Sequence, residues 1–390
     1  MKVLLAHKFY YRRGGADIYT IDLQTELEKR GHQVAVFAMQ HRKNHASPWS
    51  KYFVSEIDFN PRRPGKLIKA LYRPLFSLEV YRKFTQLLKD FKPDVVHLNN
   101  IHTQISPLIA RIAHKKGIKV VWTLHDHKLL CPRYDCMLHG RPCERCFKGS
   151  KWQAFKNKCI KNSLVGSLVG TLEALFWSQK RLEKYTDKFI CPSKFIKAQM
   201  IKGGFNAEKL VHINNFVSVV PTEQKVAKKA QYCYVGRISP EKGVETLLEV
   251  AKDLPYPLKI MGTGPQYEVF KQKYAPYSQI EFMGFCDSAT VYKTISQSKF
   301  IVQPSECYEN NPLTVIESLL LNTPVLGANI GGIPELINTP EKGMLFEPWD
   351  QEDLQLKMAD MMGKENQNIT PPKEFTMEHY YNKLLEVYKD

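Results

Sequence analysis

The chain has 390 residues, enough for two domains, and 43% of them are hydrophobic, which supports ordinary cores rather than a disordered or fibrous chain. Its 56 lysines and arginines against 39 acids leave a formal net charge of +17, which points to an anionic partner: nucleic acid, an anionic membrane surface or a phosphorylated substrate. The apolar start "VLLA" stops at His7, and "SLVGSLVGTLEALFW" (163–177) is too short to cross a membrane and carries Glu173, so a soluble intracellular protein is expected.

In chain order, the strand-like "KVLLAH" leads into the glycine-bearing loop "YYRRGGAD" and the helical "IYTIDLQTELEKRG". Further strand-like runs follow: "HQVAVFA", "DVVHLNN", "KVVWTLHD" and "KFICPS". The opening pattern then recurs, with "QYCYVGR", "ISPEKG" and "VETLLEVAKDL" forming a second strand, phosphate-sized loop and helix. It is continued by "LKIMG", "IEFMG", "FIVQPS", "TPVLGA" and "GMLFEP". Short apolar or β-branched runs alternating with helical patterns predict parallel sheets and two Rossmann-like domains joined near Ser193. The expected division is 1–192, then 193–372, then a helix over 373–390 ("TMEHYYNKLLEVYKD") returning to the first domain after the loop "NQNITPPKEF". Ligands in such sheets bind beyond the carboxyl ends of the strands.

Two segments stand apart. Between about 127 and 160 lie Cys131, Cys136, Cys143, Cys146 and Cys159, with one Cys-x2-Cys pair. In a reducing compartment this spacing predicts free thiols or a structural zinc, with Cys131, Cys136, Cys143 and Cys146 the preferred ligands. Segment 61–92 carries nine basic and two acidic residues among Leu, Ile, Tyr and Phe, and 148–177 sets lysines and Trp152 before an apolar helix. Both read as surfaces for anionic lipid or as domain helices with solvated lysines.

The stretch "SECYENNPLTVIESLL" (305–320) places Glu309 before a proline and Glu317 in an apolar run. Asn311 as N-cap and Pro312 at the first helical position predict a helix to about Leu321. Leu313, Ile316, Leu319 and Leu320 leave Glu317 little water, so its carboxylate needs a ligand, a lysine or an outlet to the surface. The helix start offers N–H groups to a phosphate.

Taken together, "VGRISPEKG" (235–243), "MGTGP" (261–265), "EFMGF" (281–285), Glu309-x7-Glu317 and "TPVLGANIGGIPELI", with "GGAD" (14–17) and "TLHDH" (123–127), resemble glycosyltransferase family 4. That family consists of retaining enzymes of GT-B fold, two Rossmann-like domains facing across a cleft. The resemblance spans most of the chain, and its motifs stand in the family's order. It implies transfer of a sugar from a nucleotide-diphosphate donor, with no catalytic cofactor. Arg237 and Lys242 would offset the charge of the leaving diphosphate. Glu309 would hold the donor sugar's hydroxyls, Glu317 the ribose hydroxyls, and His125 would lie near the sugar. Gly236, Gly262, Gly264 and Gly284, with Gly14 and Gly15, would let backbone approach the nucleotide. Many family members carry glycines after the first Glu. Here Asn310, Asn311 and Pro312 stand there, so phosphate contacts would fall to Leu313 and Thr314. The basic first domain implies a lipid-linked glycan acceptor and a peripheral position on the inner membrane face, with no nucleic acid. Two alternatives are a GT-B sugar-nucleotide epimerase and a nucleic-acid-binding protein, the latter accounting for the charge and the Cys-x2-Cys pair but leaving the phosphate loops and both glutamates unexplained.

Overall fold

A computed structural model describes residues 1–57, 69–217, 226–365 and 368–390. Residues 61–68 of the basic segment, and Asn366 and Gln367 of the loop before the last helix, lie outside the described residues. The chain divides into two compact units. The first comprises Met1–Leu138, Cys143–Ile213 and Tyr381–Asp390, the second His139–Pro142 and Asn214–Tyr380.

In the first unit, β1 (Lys2–Ala6), β2 (Gln33–Phe37), β3 (Val95–Leu98), β4 (Lys119–Thr123), β5 (Lys188–Cys191) and β6 (Leu210–His212) form one sheet in the order β2-β1-β3-β4-β5-β6. Every described pairing is parallel. Val3, Leu4, Leu5, Val96, Val120, Val121 and Trp122 are fully buried. That is why these strands read as continuous apolar runs: helices on both faces exclude water from alternate and intervening side chains alike. Strand β6, three residues long, carries no such run and was not predicted. It extends the first unit to Ile213, past the expected boundary at 192. Helix α1 (Gly15–Lys29) follows β1, and α2 (Leu78–Phe91) is capped by Ser77, whose hydroxyl accepts the Val80 N–H. Helix α3 (Leu164–Phe176) is likewise capped by Ser163, through the Gly166 N–H.

The second unit repeats the plan with β7 (Lys229–Val235), β8 (Leu258–Met261), β9 (Ile280–Gly284), β10 (Ser298–Gln303), β11 (Val325–Ala328) and β12 (Gly343–Phe346), in the order β9-β8-β7-β10-β11-β12 and parallel throughout. The order runs outward from β7 on both sides, so the winding across the sheet reverses between β7 and β10. Such a switch point opens a crevice at the strands' carboxyl ends. Helices α4 (Val244–Ala251) and α5 (Leu313–Leu320) start from loops at that end. The last helix, α6 (Met377–Lys389), puts Leu384, Val387 and Tyr388 into the first unit. There the Tyr388 hydroxyl lies 2.7 Å from His97 Nδ1, and the Tyr381 hydroxyl 2.8 Å from His32 Nε2. Each unit is thus a doubly wound α/β domain, the pair that a GT-B fold requires.

One local expectation is corrected. Pro312 is the N-cap of α5, in extended backbone, and the helix starts one residue later than predicted, at Leu313. The Asn311 side chain does not cap it: its Oδ1 accepts the Asn215 N–H at 2.8 Å, and Asn215 Nδ2 donates to the Asn311 carbonyl at 3.1 Å.

Candidate active site

Glu309 and Lys242 sit on loops from neighbouring strands. The turn Ser239–Gly243 follows β7, with a single 3-10 turn over Pro240–Lys242, and the loop 304–312 follows β10. The Glu306 N–H donates to the Glu241 carbonyl at 3.0 Å and so ties the two loops together. Lys242 Nζ then meets Glu309 Oε1 at 2.6 Å. Ser305 donates to the same oxygen at 2.7 Å, and Gln303 Nε2 reaches it at 3.4 Å while also bonding Ser305. The Glu309 side chain is 14% exposed. Burial pushes its carboxyl up, but the Lys242 charge and these hydrogen bonds outweigh that and hold it below the usual carboxylate range. Burial lowers Lys242 while Glu309 raises it, and the net direction is up. The site therefore contains a carboxylate and an ammonium, each locked in its charged form.

The backbone of Glu309 is clamped as firmly. The Gly332 N–H donates to its carbonyl at 2.7 Å. Gly331, at φ +64°, lies so close that a Cβ there would stand 2.4 Å from that carbonyl oxygen and 2.7 Å from the Glu309 nitrogen. Only glycine fits both the left-handed backbone and the space.

Other predicted glycines lie in close contact with neighbouring loops. A Cβ on Gly262 would fall 1.9 Å from the Gly236 carbonyl oxygen, and one on Gly264 would fall 2.1 Å from that of Ile238. The Gly262 N–H donates to the Gly284 carbonyl at 2.7 Å. These glycines pack the loops after β7, β8 and β9 against one another. Gly236 is held beside Tyr234, whose hydroxyl donates to the Arg237 carbonyl at 2.9 Å. The Arg237 side chain is exposed, and no carboxylate among the described residues pairs with it.

Glu317 is corrected in environment. It lies half-buried on α5, with the Tyr292 hydroxyl 3.4 Å from its Oε1, so the enclosed acid of the pair is Glu309. Leu313 and Thr314 occupy the first turn of α5, where their N–H groups precede the first helical bonds, from Val315 and Ile316 to the Pro312 carbonyl.

In the first unit, His125 stands just beyond β4. Its Nε2 is 2.8 Å from Asn99 Oδ1, and its ring meets that of Tyr19 edge-on at 4.7 Å. Burial, then the neighbouring His7, His97 and Lys8, holds its pKa well below that of free histidine, so the ring is neutral at pH 7. Gly14 is the N-cap of α1 and Gly15 its first residue. Beside them the Asp17 carboxylate accepts from His7 Nε2 at 2.6 Å and lies 3.6 Å from Arg13. The Asp of "GGAD" is therefore paired with a buried histidine and lies near Arg13. His7, Asp17, Asn99, Ser305 and Gly331 were not singled out from sequence. Ser305 and Gly331 lie within quoted motifs, but only the packed loops bring them to Glu309.

Among the described residues, no three His, Cys, Asp or Glu side chains converge to hold a metal ion. The Cys131 and Cys136 thiols hydrogen-bond to each other, which lowers Cys131 to about 7 and raises Cys136, and none of the nine cysteines is in a disulfide. Cys143 and Cys146 complete no ligand set with them.

Two doubly wound α/β units, the second with its charged loops at the carboxyl ends of the strands, fit the GT-B fold. Residues 13–220 match Glycosyltransferase Family 4 and residues 220–371 match Glycosyl transferases group 1, and the chain belongs to this family of glycosyltransferases. Among its relatives is an uncharacterised 42.6 kDa protein in the cps region of Klebsiella pneumoniae, 26% identical over 353 residues, covering 86% of this chain and 87% of that one. Another is the O-antigen biosynthesis glycosyltransferase WbnH of Escherichia coli, 27% identical over 233 residues, covering 57% and 67%. The fold is shared with Anabaena HepE solved with UDP-glucose, at a TM-score of 0.66 and 16% identity, over 100% of this chain and 99% of that one.

Proposed function

We propose that this glycosyltransferase moves a sugar, with retention of configuration, from a nucleotide-diphosphate donor to a lipid-linked glycan in the assembly of a cell-surface polysaccharide. The observation that carries this reading is the Lys242–Glu309 pair, with Arg237 on the same loop after β7 as Lys242. Arg237 and Lys242 offset the charge that develops on the leaving diphosphate. Glu309, aligned by Lys242, Ser305 and Gln303, receives the hydroxyls of the donor sugar. The half-buried Glu317 takes the ribose hydroxyls, and the first amides of α5, at Leu313 and Thr314, take phosphate oxygens. The acceptor attacks from the face the diphosphate leaves, and a leaving phosphate oxygen takes its proton. Neutral His125 gives its Nε2–H to Asn99 Oδ1, which leaves Nδ1 as an acceptor for a hydroxyl. The bound UDP-glucose of HepE supports a nucleotide-sugar donor, and the cps-region and O-antigen relatives support the polysaccharide. The net charge of +17 supports work at an anionic membrane face.

Calorimetric titration with UDP, GDP, ADP and their common sugar conjugates tests the donor half. One nucleotide should bind the wild type tightly and bind Glu317→Ala at least tenfold more weakly, the loss of about two hydrogen bonds to a charged group. Absence of binding by folded protein would refute the donor assignment. An inverted anomeric centre in the product, read by NMR, would refute retention.

A further inference from the structure

Helix α3 is inside out. Its buried positions are Ser167, Gly170, Thr171 and Glu173. Its exposed ones are Leu164 (52%), Val165 (54%), Leu172 (39%), Leu175 (42%) and Phe176 (37%). The polar face is satisfied inside the unit. Ser167 Oγ accepts the Ile160 N–H at 3.0 Å, and Thr171 donates to the Ser167 carbonyl at 2.8 Å. Glu173 accepts from the Thr103 N–H and hydroxyl at 2.8 and 2.9 Å and pairs with Lys128 at 3.0 Å. The orientation is therefore anchored by hydrogen bonds, and the apolar stripe is presented to the outside in the reverse of the usual surface helix.

The stripe has a neighbour. Trp177, which ends α3, donates from Nε1 to the Pro74 carbonyl at 2.7 Å. This brings alongside the segment holding Tyr72 and Phe76, 47% and 50% exposed. Contiguous apolar exposure of this kind marks a surface that something covers. The surrounding charge says what. Lys156, Lys158, Lys161, Lys180 and Arg181 are all exposed, and Glu173, turned inward, is the one acid between residues 151 and 181. Arg181 lies over the Phe176 ring at 4.7 Å, its cation at the edge of the apolar face.

We infer that the outward face of α3, with the adjoining Tyr72–Phe76 segment, is the surface by which this chain rests on an anionic lipid bilayer. Leu164, Leu172, Leu175 and Phe176 enter the boundary between headgroups and acyl chains, and the flanking lysines and arginines meet the lipid phosphates. A second copy of the chain would bring the same cluster of positive charge against itself, and a nucleic acid would leave the apolar stripe uncovered. This deepens the membrane contact of the proposed function by naming its surface. It does not depend on donor chemistry.

The test is co-sedimentation of the full chain, without any sugar nucleotide, with extruded vesicles of phosphatidylcholine alone or mixed with phosphatidylglycerol. Binding to the mixed vesicles, weakened by salt and absent from neutral ones, is expected. Leu172→Asp and Phe176→Asp should each weaken it roughly tenfold to hundredfold, the value of one inserted apolar side chain, with thermal midpoint and nucleotide binding unchanged. Lys158→Glu with Lys161→Glu should weaken it without touching the stripe. Equal sedimentation with both vesicle types, or Asp variants that bind like wild type, would overturn the inference. So would a wild type that is dimeric by light scattering, is made monomeric by the Asp substitutions, and ignores vesicles. None of these results would bear on the donor site, which calorimetry reads separately.

Discussion

Glu309 and Lys242 are largely enclosed and mutually charged, so neither is a free agent in the folded chain. Removing one leaves the other in a poorly solvated place. Glu309→Ala should destabilise the second unit by about 2 kcal/mol, less than a fully buried pair because both side chains reach some solvent. Adding Lys242→Met should recover part of that loss, and a double-mutant cycle by urea denaturation measures the coupling. The buried histidines supply a second prediction at this scale. His97 is lowered to about 3 and His127 to about 4, both by burial. Unfolded histidine binds its proton near pH 6.5. Between those values the unfolded chain holds the extra proton, so stability is complete above about pH 6.5 and falls as pH falls towards the folded values. Each histidine should remove about 2 kcal/mol between pH 7 and pH 5. Denaturation midpoints at the two pH values check this, and His97→Gln should flatten the pH dependence.

At the scale of elements, the site is made by loops whose lengths and glycines let them touch. Gly331 is the clearest case, since its left-handed backbone and the two Glu309 atoms beside it leave no room for a methyl group. Gly331→Ala should cost about 1–2 kcal/mol for the backbone alone, with more from the displaced loop. It should also weaken donor binding by shifting Glu309, whereas Gly363→Ala, with nothing near its Cβ, should do neither. The combined reading of melting temperature and calorimetry separates a positioning effect from general destabilisation. Helix α3 shows the opposite lesson. Its sequence predicts an apolar helix, yet which face turns inward depends on Thr103 and Lys128, more than forty residues away in the chain, offering partners to Glu173.

For the whole molecule, two doubly wound units were legible because their strands are buried on both faces and so appear as unbroken apolar runs. The family's loop motifs appear in order because each must follow its strand. The short β6 was missed, since an edge strand of three residues has no period to detect. By itself the sequence determined the fold class and the membership in a sugar-transferring family, and it named Arg237, Lys242, Glu309 and Glu317 as candidates. These are properties of local pattern and motif spacing. Only the tertiary structure decided that Glu309 rather than Glu317 is the enclosed acid, that Gly262 and Gly264 sit against carbonyls of a neighbouring loop, and that α3 turns its apolar side outward. Each of these depends on which distant side chain or carbonyl supplies the contact. Hydrogen-bond partners and close approaches between loops are set by folding in three dimensions and leave no periodicity in the chain.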